Sequence, residues 1–242
     1  MAGHSKWANI KHKKAKMDAQ KGKIYTKFSK LISVAVREGG PDPNGNSRLK
    51  DIIEKAKEAN MPNDNIMRAI KRGSGELGGE NFEEVMYEGY GPGGVAIMLD
   101  TMTDNRNRTA GDLRHLFDKY GGNLGETGCV AWMFEKKGLI IVEKKDDLDV
   151  ENLIMLAIDA GADDVEEEDD SVEITTSIEQ FEHIKKTFNE NGFELASAEI
   201  TFLPKTTVRL DAAQSESLEK LIDMFEEHDD VQNVYTNHDV ID

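Results

Sequence analysis

The sequence is poor in the features that would point to a membrane, a secreted scaffold or an enzyme. Its 242 residues contain a single cysteine, Cys129, so an internal disulfide framework is excluded and a reducing, cytoplasmic setting is expected. No apolar run approaches the roughly 20 residues that span a bilayer, and the lysine-bearing amino end lacks the apolar block of a secretory signal. Aromatic residues are 7% of the chain, proline is rare at 5 residues, and hydrophobic residues reach 38%. That is enough for ordinary cores, but at this length for two or three of them rather than one. The six histidines are scattered without zinc spacing, and no nucleophile, base and orienting acid fall into a recognisable pattern. Gly91-Pro92-Gly93-Gly94 is not followed by the Gly-Lys-Ser/Thr of a phosphate loop, and the acidic tract 163–170 lacks the ligand spacing of a calcium loop. No catalytic residue, metal ligand, cofactor or small-molecule substrate is therefore expected.

What the sequence has instead is charge, unevenly placed. Residues 1–40 carry ten Lys or Arg against two acids, near +8, in a chain whose formal net charge is −17, so about −25 falls on the remainder. Such sign asymmetry suggests a polyanion-binding arm. Residues 1–18 lack apolar periodicity and read as a mobile arm that orders on a partner. Trp7 stands among the lysines, where an indole can stack on a base or pin the arm to a neighbouring helix.

From Lys21 onward, Ile24, Phe28, Leu31, Ile32 and Ala35 recur at helical spacing, with Lys23, Lys27, Lys30 and Arg37 on another face. Turn-rich residues 39–45 end this helix. Ser47 is the expected cap of a second helix carrying Leu49, Ile52, Ile53 and Ala56, and Asn63 the expected cap of a third carrying Ile66, Met67 and Ile70 and closing at Gly73. This last helix is short, offering only Asn65, Arg68, Lys71 and Arg72 to read base edges. Beyond the glycine-rich stretch 73–79 the texture alternates between short apolar runs and helical faces. Strands are expected at 95–99, 129–134, 139–142, around 165, at 172–175, 197–203, 207–210 and 231–236. Over 139–204 the order β-α-β-β-α-β is that of a ferredoxin-like fold, and the flanking segments supply complementary halves of a second.

The expectation is an α+β multidomain protein with a three-helix N-terminal domain and two ferredoxin-like domains, one inserted in the other. Its boundaries are 1–78 for the arm and helical domain, 79–136 with 205–242 for the discontinuous domain, and 137–204 for the insert. The segment 103–109, Thr-Asp-Asn-Arg-Asn-Arg-Thr, precedes a helix that Thr103 or Asp104 can cap; Arg106 and Arg108 can hold a phosphate at its amino end or pair with the many acids nearby.

The stretches MAGHSKWANIKHKKAKMDAQKGKIYTKF, YEGYGPGG at 87–94, TDNRNRT at 103–109 and GGNLGETGCVAWMF at 121–134 resemble the signatures of the YebC/PmpR family. The resemblance spans the chain in order. It implies a cytoplasmic, non-enzymatic protein with a helical first domain and two α/β domains, binding DNA as a transcriptional regulator; the family also includes a mitochondrial translational activator. The alternative is a translation factor that binds ribosomal or transfer RNA, with the ribosome as partner. From charge and position, the expected contacts are Lys6, Trp7, Lys11, Lys13, Lys14, Lys16, Lys21, Lys23, Lys27, Arg106 and Arg108.

Overall fold

A computed structural model describes Lys6, Trp7, Lys11 and residues 21–78 and 81–239. Contacts divide the chain into two compact units. The larger draws on residues 16–131 and 210–236, the smaller on 132–209 with the beginning and end of the chain.

In the larger unit, α1 (Lys21–Gly39), α2 (Ser47–Glu58) and α3 (Asn63–Gly73) bury Ile32, Ala35, Val36, Leu49, Ile53, Ala56, Ile66 and Ala69 in one core. Asn46, not Ser47, caps α2, its side-chain oxygen accepting from the Leu49 amide at 3.0 Å. The same side chain donates to the Ala35 and Gly40 carbonyls at 2.8 and 2.9 Å, so the cap also closes the turn after α1. A serine hydroxyl has only one proton to donate and could not make both bonds. Pro62 holds the N-cap position of α3, without a side-chain bond, in place of the expected Asn63. Gly73 lets α3 approach α1 closely, since a Cβ there would lie 2.6 Å from the Ser33 carbonyl oxygen.

The unit continues through β1 (Glu83–Tyr90), β2 (Ala96–Thr103), α4 (Arg106–Lys119), β3 (Asn123–Leu124), α7 (Ala212–Glu227) and β8 (Val231–Thr236). Its antiparallel sheet runs β3-β1-β2-β8. The phenyl rings of Phe117 on α4 and Phe225 on α7 meet at 4.8 Å between centroids, joining two helices far apart in the chain. Two expected strands are replaced. Residues 131–133 form a 3-10 turn, while Thr207–Leu210 contributes only the isolated bridge of Val208 to His238. The edge partner of β1 is instead the two-residue β3, too short to show a period in the sequence.

The smaller unit contains β4 (Phe134–Glu143), α5 (Val150–Asp159), β5 (Asp164–Glu167), β6 (Ser171–Thr176), α6 (Ile178–Glu190) and β7 (Ser197–Pro204). Its sheet order β5-β6-β4-β7, antiparallel throughout, is ferredoxin-like. Alternation along the strands sends Ile140, Val142, Val172 and Ile174 to the helix-covered face against Leu153, Phe181, Ile184 and Phe188. Leu139 and Ile141 point to the opposite face. Among the described residues, no helix is long and apolar enough to cross a membrane.

Candidate nucleic-acid interface

Among the described residues, most of the cations expected to contact phosphate have acidic partners within their own unit. In the smaller unit, Lys6 Nζ lies 2.7 Å from Glu166 Oε2 and 3.1 Å from Glu173 Oε2, and Lys11 Nζ lies 2.6 Å from Asp170 Oδ2. Burial pulls the Lys6 ammonium down, but the hydrogen bonds and charges of Glu166 and Glu173 outweigh it and the net shift is upward. Trp7 is 5% exposed and packs with Leu139, Ile141, Ala196 and Leu203; its backbone amide donates to Glu173 Oε1 at 3.0 Å. Its ring is thus used in packing, which corrects the expectation of an exposed indole in a mobile arm and favours the anchoring role over base stacking. The anchor is a sheet rather than a helix. Lys13, Lys14 and Lys16 lie outside the described residues.

On α1 the basic face has a structural occupation. Lys23, Lys27 and Lys30 stand at i, i+4 and i+7, and their ammonium groups donate to the carbonyls of Glu227, Glu226 and Asp229 at 3.3, 3.0 and 2.9 Å. The last turn of α7 has no basic residue of its own, so these lysines neutralise the negative end of its dipole.

Arg106 and Arg108 are also paired. Arg106 meets Glu83 at 2.6 Å; Arg108 bridges Asp104 at 2.7 Å and Asp230 at 2.9 Å. Asn105 is the N-cap of α4, accepting from the Arg108 amide, while Thr103 Oγ1 accepts from the Asn105 amide, so both residues fix the turn that holds the arginines. Arg108 and Asp230 belong to a cluster completed by Lys30, 2.6 Å from Asp230 Oδ1, and Thr109 Oγ1, 2.8 Å from Asp230 Oδ2.

A different group of cations has no partner among the described residues. Lys21, Lys50, Lys55, Lys57, Arg68, Lys71 and Arg72 are exposed, and none makes an ion pair or side-chain hydrogen bond with a described residue. Arg68, Lys71 and Arg72 fall within about 100° of arc on α3, opposite buried Ile66 and Ala69 and beside Met67, which is 52% exposed. Acidic Asp64 stands one turn earlier, at the helix amino end. Lys50 and Lys57 share a face of α2. The spacing of Arg68, Lys71 and Arg72 was legible in the sequence; that Lys6, Lys11, Lys23 and Lys27 would be taken up by acidic side chains and by the carbonyls at the end of α7 was not. Tertiary pairing separates the available cations from the occupied ones.

Among the described residues, no group of three His, Cys, Asp or Glu side chains is placed to hold a metal ion. The Cys129 thiol is pushed up by burial and by the Glu88 carboxylate. Glu88, 3% exposed, accepts from the amides of Gly128, Val130 and Ala131 at 2.7 to 2.8 Å and so fixes the loop around that cysteine.

Comparison with known proteins matches residues 5–76 to the TACO1/YebC N-terminal domain and residues 82–238 to the TACO1/YebC second and third domain. A "Probable transcriptional regulatory protein" of Pelotomaculum thermopropionicum is 57% identical over 243 residues, covering 100% of both chains. A protein of the same description from Acetivibrio thermocellus is 57% identical over 238 residues, covering 98% of both. The crystal structure of a conserved hypothetical protein from Aquifex aeolicus superposes with a TM-score of 0.84 at 49% identity, covering 98% of each chain.

Proposed function

Because the chain belongs to the TACO1/YebC family, we propose that it is a non-enzymatic regulator of gene expression that binds nucleic acid through its helical N-terminal region. The observation that carries this reading is the set of cations on α2 and α3 that have no partner among the described residues, above all Arg68, Lys71 and Arg72, in a protein of net charge −17. A predominantly basic surface, in a chain with so many acids, suits a polyanion. The names of the relatives favour DNA, and regulation of transcription, as the first form of this proposal.

A second reading has its own observation. Half of the exposed side chains of the 11-residue α3 are cations, Arg68, Lys71 and Arg72, suited to phosphate, and Asn63 is its one exposed amide to distinguish bases. Backbone and shape recognition of that kind suits structured RNA, including ribosomal or transfer RNA. Crosslinking in cells followed by sequencing of the attached nucleic acid separates the two: promoter fragments are expected for the first, ribosomal or transfer RNA for the second. In either case Arg68→Ala/Lys71→Ala/Arg72→Ala should remove most of the crosslinked material. Equal recovery from the variant would place the interface elsewhere.

A further inference from the structure

The helix-free face of a ferredoxin-like sheet is ordinarily open to water, yet in the smaller unit Leu139 and Ile141 on that face are 3% and 0% exposed. Trp7 belongs to their cluster. Glu173, which follows Val172 on β6 and therefore points to the same side, is 2% exposed and holds both the Lys6 ammonium and the Trp7 amide. Trp7 thus covers this part of the face, and Lys6 and Lys11 sit on the β5–β6 hairpin. That hairpin carries seven acids in the eight residues 163–170. These acids repel one another: burial and the charges of Glu173 and Glu166 push the Glu168 carboxyl up. A basic segment relieves that repulsion.

We propose that the acidic hairpin and apolar sheet face act as an internal competitor for nucleic acid, holding the N-terminal arm through Lys6, Trp7 and Lys11 until a phosphate backbone draws those lysines away. The proposal rests on the nucleic-acid reading above and adds its regulation. Carboxylates and phosphates compete for the same ammonium groups, and the geometry suits exchange. The outer pairs, Lys6 to Glu166 and Lys11 to Asp170, involve side chains between 31% and 50% exposed, which water and salt weaken. A polyanion repays their loss by releasing its own counterions. The indole seat makes docking specific for this segment, because Trp7 fills a site lined by Leu139, Ile141, Ala196 and Leu203. Apparent affinity for nucleic acid is then lowered by the fraction of chains whose arm is docked.

The test uses the full chain with fluorescein-labelled duplex DNA and a labelled RNA hairpin as probes. Of the two tryptophans, Trp132 is replaced by Phe so that emission reports Trp7 alone. Saturating either probe should shift Trp7 emission to the red as the indole leaves its seat. Glu166→Gln/Asp170→Asn should show part of that shift without probe and bind about three- to tenfold more tightly, as undocked chains become the majority. The charge-matched control Glu179→Gln/Glu182→Gln, on α6, should change neither. Thermal melting confirms that each variant is folded. Probe binding that leaves Trp7 emission unmoved, or equal tightening in the control, overturns the competition and makes the arm a permanent structural cover. Failure of the parent and both variants to bind either probe overturns the nucleic-acid reading itself, and the competition with it.

Discussion

Asp230 illustrates how a single side chain joins several elements. It is 3% exposed and takes hydrogen bonds from Lys30 on α1, Arg108 and Thr109 on α4, while the Met102 amide donates to its carbonyl at 2.7 Å. Burial pushes its carboxyl up, but the hydrogen bonds from Lys30, Arg108 and Thr109 outweigh that and hold it at about 2, against an ordinary 3.8. A folded value below the unfolded one means that the stabilisation is fully present above pH 3.8 and is lost as the pH falls through 2. The size is roughly 2 kcal/mol. Urea unfolding followed from neutral to acid pH should show this loss, superimposed on that of other carboxylates. Asp230→Asn keeps the shape but leaves the Lys30 ammonium, itself nearly buried, without a counter-charge. A destabilisation of about 3 to 5 kcal/mol at neutral pH is expected, with a shallower acid limb. A variant as stable as the parent would show that Lys30 finds water instead.

At the scale of elements, the sheets differ in how local they are. Every strand of β5-β6-β4-β7 comes from residues 134–204, with its own core of Ile140, Val172, Ile174, Phe181 and Phe188. A fragment of residues 134–204 should therefore fold. Without Trp7 over Leu139 and Ile141, it should be less stable than the same unit in the full chain by about 1.5 to 3 kcal/mol, the usual worth of a large buried apolar side chain. A fragment of residues 81–131 should not fold, because β2 loses β8 and Phe117 loses Phe225, its ring partner from α7. Circular dichroism and amide exchange on the two fragments decide this. Two folded fragments would mean that the β1–β2 hairpin and α4 are sufficient without the later segment.

For the molecule as a whole, electrostatics sets the expectation. A net charge of −17 opposes approach to any polyanion, so binding must be local and salt-sensitive. If Arg68, Lys71 and Arg72 each neutralise a phosphate, replacing all three with Ala should lower the slope of log affinity against log salt by about 2 to 3 units. Replacing Arg106 and Arg108, which are already paired with Glu83, Asp104 and Asp230, should change that slope little. Fluorescence anisotropy across a salt series measures both. The opposite ranking would return the interface to the amino end of α4.

The sequence by itself determined the local elements. The stripe of Phe28, Ile32 and Ala35 made α1, and the unbroken apolar run Leu139 to Val142 made β4, because both patterns are written in neighbouring residues. It also marked the basic amino end, and it carried the family signatures. Caps were legible only to within a residue or two, since Asn46 and Asn105 are chosen over Ser47 and Asp104 by which backbone groups come within reach. What tertiary structure alone decided is which charges are available. Lys23, Lys27 and Lys30 look like a phosphate-binding face until the carbonyl end of α7, some 200 residues later, is laid against them. Trp7 looks exposed until the open face of the second sheet is built. Charge is a property of composition, but availability depends on long-range pairing, and no window of sequence contains both partners.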